Sequence, residues 1–284
     1  MKTASDTRKA GVAGMFYPVT ASEIRAQLGR EAQNVREAMD KRSPEGLILG
    51  GVLPHAGMDY CAHHAVHFFE LLRRSGQKPD TVVIAHPSHS GVGPPVSVDG
   101  HHSWETPLGL VGVDLALSEA SVLPVSSRAQ LREHSSEVIV PYLQYFLDEG
   151  FRILSVNMLQ QNREVAQEVA EKIYRGAHQL GRKLLFLASS DFSHFLSPQE
   201  SAPLDDKVLA EILEKNPRGV EEMVHQYRVS VCGYGPVMAL MEYAALTDPA
   251  YHVRLLSRGH SGEVIPSGKV VNYMSLLFSS DKGL

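Results

Sequence analysis

Four short apolar runs constrain the fold of this chain more than any other feature: Leu47–Leu53, Thr81–Ala85, Phe151–Val156 and Lys183–Ala188. None alternates strictly between apolar and polar positions, which is the pattern of strands buried on both faces. Segments with helical spacing lie between them. Ser22–Met39 follows a capping-type serine, Cys61, Ala65, Phe68, Phe69 and Leu72 share one helical face, and Val138–Phe146 and Arg163–Leu180 follow. Strand alternating with helix predicts an α/β fold with a mostly parallel central sheet and helices on both faces. The Pro- and Gly-rich stretch Gly91–Ser103 reads as a long loop, and Leu108–Val113 as an edge strand. Helices are expected over Leu204–Glu214, Val220–Tyr227 and Gly235–Leu246, and closing strands over His252–Ser257 and Lys269–Phe278. Without a low-complexity linker or an internal repeat, residues 1–284 read as a single domain.

Composition narrows the function classes. The net charge is -5, and no basic stripe of the kind that grips phosphates is visible, so no nucleic-acid partner is expected. Met1–Asp6 lacks the apolar core of a signal peptide, and no run approaches the roughly eighteen apolar residues of a membrane helix. A cytoplasmic location with no membrane partner follows, with the two cysteines, Cys61 and Cys232, as reduced thiols.

The chemistry gathers where the apolar runs stop. Leu47–Leu53 runs into Pro54-His55-Ala56-Gly57, Thr81–Ala85 into His86-Pro87-Ser88-His89-Ser90, and Lys183–Ala188 into Ser189-Ser190-Asp191-Phe192-Ser193-His194. In a parallel sheet the carboxyl ends of the strands share one edge, where ligands bind. A lone histidine after a strand is usually a hydrogen-bonding group; three such clusters at equivalent ends point to one pocket. Cys232 stands before Gly233-Tyr234-Gly235-Pro236 at the expected start of a helix, where the dipole lowers a thiol's pKa. It can be read as a metal ligand, a nucleophile or an inert buried thiol. Cys61 falls on an apolar helix face and reads as packing. His134, in Glu133-His134-Ser135-Ser136-Glu137, could reach the same edge, and the flanking glutamates are explained by the helix dipole. Trp104 reads as packing, and His101 and His102 as solvated.

Seven motifs occur in an order that resembles the Memo-like family, component B of the AmmeMemoRadiSam set. They are Ala13-Gly14-Met15-Phe16-Tyr17-Pro18; Pro54-His55-Ala56-Gly57 with Tyr60; Pro87-Ser88-His89; Thr106-Pro107-Leu108-Gly109 with Asp114; Glu133-His134-Ser135 with Glu137 and Pro141; Ser189 to His194; and Cys232-Gly233. The resemblance implies a fold like that of the class III extradiol dioxygenases, non-haem iron enzymes whose metal is held by two histidines and a carboxylate. It implies His55, His89 and Cys232 as metal ligands, with the thiolate in place of the carboxylate, His194 as an acid/base and Asp191 close by. The implied metal is Fe(II), with copper the alternative. This chain departs from the pattern at His86, where relatives have glycine, and at Ser90, where a second histidine often follows. His86 is expected to support the ligands from behind.

Two functions compete. The first is a metal-dependent oxidoreductase acting on a small molecule. The second is a non-catalytic protein whose pocket holds a peptide or a segment of a partner, with radical SAM and AMMECR-type proteins the partners implied by the resemblance. A cysteine hydrolase using Cys232 and His194 is a third reading.

Overall fold

The computed structural model describes residues 6–38, 46–147 and 149–282. Met39, the expected end of the first helix, and residues 1–5 and 283–284 lie outside the described residues. The strands are β1 (Thr7–Arg8), β2 (Leu47–Leu53), β3 (Thr81–Pro87), β4 (Val96–Val98), β5 (Ser103–Thr106), β6 (Gly109–Val113), β7 (Arg152–Met158), β8 (Leu184–Ser189), β9 (His194–Leu196), β10 (His252–His260) and β11 (Val270–Ser280). The helices are α1 (Ala21–Ala38), α2 (Met58–Ser75), α3 (Leu115–Ser121), α4 (Ser127–Gln130), α5 (Val140–Phe146), α6 (Arg163–Leu180), α7 (Pro198–Leu213), α8 (Pro217–Tyr227) and α9 (Tyr234–Thr247). Short 3-10 turns cover Glu137–Ile139 and Ser261–Glu263.

The strands join in the order β1-β5-β6-β7-β3-β8-β2-β11-β10, with β4 against β7 and β9 against β11. From β6 to β2 every neighbouring pair is parallel. On the far side of β2, β11 runs antiparallel to it and to β10. This is the expected α/β architecture, a mostly parallel mixed sheet with helices on both faces. One core packs α6 and α9 through Val169, Ile173, Met238 and Leu240; the opposite core packs α1, α2 and α5 through Leu28, Phe69 and Leu143.

Local chemistry explains the elements that carry the site. In β2, a Cβ on Gly50 would lie 1.9 Å from the Phe186 carbonyl oxygen, and one on Gly51 would lie 2.4 Å from the Phe68 ring. Two glycines therefore let the strand sit close to its neighbours just before His55. Asn162 caps α6 by accepting the Val165 N–H, and Gly181 ends it in the left-handed region at φ 61°.

Two expectations are corrected. Gly91–Ser103 is not all loop, because the fully buried Val96-Ser97-Val98 pairs with β7. His101 is not solvated: it is 5% exposed, and its Nδ1 lies 2.7 Å from Asp99 Oδ1. The buried Asp99 carboxylate needs donors, and the Trp104 indole supplies another at 2.5 Å. Trp104 is itself buried under the Arg8 guanidinium, 4.2 Å from the ring centroid, which is a packing role.

Candidate metal centre

The tips of β2, β8 and β3 are adjacent in the sheet, and each releases the chain into a polar turn. His55 follows β2, Asp191 follows β8 and His89 follows β3. The segment between α4 and the Glu137–Ile139 turn brings His134 to the same place. The ring centroids of His55 and His89 are 5.3 Å apart, those of His55 and His134 5.5 Å, and those of His89 and His134 4.6 Å. One ligand atom from each of the three lies within 4.8 Å of the others, a spacing that could hold a metal ion.

Hydrogen bonds decide which ring nitrogen faces the pocket. Ser189 Oγ donates its single proton to the Ser135 carbonyl at 2.5 Å and lies 2.8 Å from His55 Nδ1. With that proton committed, Ser189 can only accept from His55, so the imidazole is protonated at Nδ1 and Nε2 keeps its lone pair. That Nε2 lies 3.3 Å from Cys232 Sγ. His89 is oriented in the same way: its Nδ1 donates to Glu133 Oε1 at 2.9 Å, which leaves Nε2 free. His134 Nδ1 lies 3.6 Å from the same oxygen, and the Phe16 ring stacks on the imidazole at 4.4 Å. Imidazoles held through Nδ1 by a hydroxyl or a carboxylate, with Nε2 turned inward, are the usual supporting arrangement of metal-binding histidines.

A family model described as Memo-like protein matches residues 8–277. The chain belongs to the Memo-like family. It is 36% identical to a MEMO1 family protein of Methanosarcina barkeri over 274 residues, covering 95% of this chain and 99% of that protein. It is 34% identical to one of Methanopyrus kandleri over 280 residues, covering 95% and 98%. With one of Saccharolobus solfataricus the identity is 32% over 288 residues, covering 96% and 99%.

In this Memo-like pocket, burial sets the electrostatics. Burial, helped by the neighbouring His134 and His89, pushes the His55 imidazole well below its ordinary pKa, so it is neutral. Burial opposed by Glu133 lowers His134 to about 4. Burial pushes the Glu133 carboxyl upward, but the hydrogen bond from His89 and the charges of His86 and His89 outweigh it and hold it well below the usual range. The expected low pKa of Cys232 is corrected. Burial and the Asp191 carboxylate push that thiol up, outweighing the Asp191 N–H 3.3 Å from Sγ and the start of α9. In the metal-free protein Cys232 is a thiol.

The other expected residues occupy definite places. Asp191 is buried, its Oδ1 accepts the His55 backbone N–H at 2.9 Å, and burial pushes its carboxyl up to about 6. His194 opens β9 at the rim, with Nδ1 2.8 Å from the Ser230 carbonyl. The imidazole next to Cys232 is thus His55, which leaves the hydrolase pair of Cys232 and His194 without support. His86 is fully buried behind the site, with Nδ1 3.0 Å from Ser135 Oγ and Nε2 3.0 Å from Ser155 Oγ and 3.2 Å from Gln130 Oε1. Cys61 packs in the core, and its thiol donates to the Ala56 carbonyl at 3.3 Å.

Sequence reasoning missed the two glutamates. They are not helix-dipole partners in water but fully buried side chains. Glu133 orients His89, and Glu137 accepts from Arg8, from the Gly11 and Val12 N–H groups and from the Tyr17 hydroxyl. Their signal was their place around His134 in the fifth of the seven motifs.

Proposed function

We propose that this protein binds a redox-active transition metal, iron or copper, through His55, His89 and Cys232, with His134 beside them, and serves as an oxidoreductase for a small molecule. The observation that carries the reading is the 3.3 Å approach of His55 Nε2 to Cys232 Sγ, with Nδ1 of the same ring tied back to Ser189. His55, His89 and His134 have the spacing to hold an ion, and Cys232, which approaches His55, adds a sulfur beside them, a donor set that suits soft and borderline metals, so the residues present fit the group. When bound, such an ion supplies Lewis-acid and one-electron chemistry.

The remaining roles belong to the chain. Ser189 and Glu133 hold His55 and His89 in the ligand tautomer. Asp191 fixes the His55 turn, and with its carboxyl near 6 it can hold or release a proton at Oδ2 under neutral conditions. His194 stands at the rim as the second proton carrier, its Nδ1 anchored by Ser230. His89 is the solvent-facing ligand, its side chain 37% exposed, so a small molecule would enter on that side.

The test is anaerobic purification followed by metal analysis and an absorption spectrum of the iron- or copper-loaded protein. About one equivalent of metal with a thiolate charge-transfer band is expected. Less than about a tenth of an equivalent after reconstitution, or no dependence on His55 and His89, overturns the proposal.

A second reading rests on Phe195. Its ring is 69% exposed next to His194, and its backbone sits in the left-handed region at φ 61°, a costly place for an aromatic residue. An apolar ring held in water at the rim suits a non-catalytic pocket for a peptide or a partner segment, including the radical SAM and AMMECR-type proteins of the resemblance. That reading predicts that His55→Ala leaves peptide binding intact while Phe195→Ala weakens it.

A further inference from the structure

A second group of ligand-type side chains shares no residue with the pocket above. His63 and His64 project from α2 toward Glu263 in the Ser261–Glu263 turn after β10. One ligand atom from each lies within 4.8 Å of the others. We propose that His63, His64 and Glu263 form a second cation site, for a divalent ion of the Zn(II) class, that ties α2 to the turn between β10 and β11.

The distances fit an ion better than they fit hydrogen bonds. Glu263 Oε2 lies 3.4 Å from His63 Nε2 and 3.5 Å from His64 Nε2, longer than a good N–H···O bond. Donors around a tetrahedral Zn(II) at about 2.1 Å stand about 3.4 Å apart. Two imidazoles and one carboxylate are also an established donor set for that ion, with the fourth position open to water.

His64 supplies the independent sign. The residue is only 3% exposed, and its Nε2 is buried without a hydrogen-bond partner. Its Nδ1 lies 2.8 Å from Ser257 Oγ, a contact that fixes the ring and leaves Nε2 turned toward the carboxylate. A buried nitrogen with no partner is costly, so an ion there also relieves the fold.

The neighbouring backbone is shaped around the same point. A Cβ on Gly259 would lie 2.5 Å from both Glu263 Oε1 and His64 Nε2, so only glycine leaves the space open. Glu263 Oε1 is occupied by the His260 N–H at 3.1 Å, which turns Oε2 toward the imidazoles. His63 and Glu263 are 34% and 42% exposed at their side chains, which gives an ion a way in.

The test uses Co(II) as a visible stand-in for Zn(II), titrated into chelator-stripped protein carrying His55→Ala and His89→Ala, so that the first pocket cannot contribute. About one equivalent should bind, with visible d–d bands and no thiolate charge transfer. Adding His63→Ala, or Glu263→Gln, which keeps an oxygen for the His260 N–H, should weaken binding at least about tenfold. Absence of binding, or binding that neither change alters, overturns the proposal. Should the His55/His89 double variant fail to fold, the count is made with both pockets intact. A fall from two equivalents to one in His63→Ala then supports the second site, and an unchanged count overturns it. Failure of the first pocket to take metal leaves this measurement unaffected.

Discussion

His89 is held twice by Glu133: Oε1 lies 2.9 Å from the ring Nδ1 and Oε2 lies 2.6 Å from the backbone nitrogen. One carboxylate therefore sets both the turn after β3 and the tilt of the imidazole it carries. Glu133→Gln keeps the shape but offers only one oxygen and no charge. Metal affinity should fall about 10–100-fold, read by competition with a chromophoric chelator. An affinity within about twofold of the parent would mean that His89 needs no such support.

Cys232→Ser separates the sulfur from the imidazoles. The His55, His89 and His134 atoms within 4.8 Å of one another remain, so a divalent ion should still bind, more weakly. The charge-transfer band of the iron or copper form should vanish. A band that survives the change would place the sulfur outside the coordination shell.

Arg8 and Glu137 form a buried ion pair at 2.5 Å, with side chains 1% and 0% exposed. Arg8→Met removes one partner and leaves the carboxylate in the core. Urea unfolding should show a loss of about 3–5 kcal/mol, the usual penalty for orphaning a buried charge. Double replacement of Arg8 and Glu137 by apolar residues should recover part of that loss.

Stability of the metal-free protein should depend on pH through His86. Burial lowers this imidazole from its ordinary 6.5 to about 4 in the folded state. Between those values the unfolded chain binds more protons than the folded one, so stability rises with pH. It is fully present above about 6.5 and lost as pH falls toward 4, by at most about 3 kcal/mol. His134 adds to the same slope, since it also falls to about 4. Urea unfolding in chelator at pH 5 and pH 7 should show a smaller difference for His86→Gln than for the parent. Equal differences would remove His86 as the source.

The sheet was legible because its central strands are apolar and short. Thr81–Ala85 and Lys183–Ala188 differ from β3 and β8 by no more than two residues at either end. Strand β10 runs on through Arg258-Gly259-His260, which carry no apolar signal and extend because β11 offers partners. The short β1, β4, β5 and β9 gave no pattern to read. Helix α7 begins at Pro198, not near Leu204, and its sign was present: Ser197 and Glu200 form a capping box with proline at the first helical position. Pro203 obscured the helical turn before it. The strand-tip histidines and Cys232 were visible as motifs beside chain breakers. Glu133 also stood in a motif, but its role was hidden, because its partner His89 lies 44 residues away and no local rule links them.

The position of β8 between β2 and β3 has a consequence for biosynthesis. During translation, β2 and β3 leave the ribosome long before the strand that separates them. A nascent chain ending before residue 184 has neither Ser189 to orient His55 nor Cys232 to face it. Such a chain keeps His55, His89 and His134 but lacks the sulfur, so an ion held by thiolate as well as imidazole is captured only once synthesis is nearly complete.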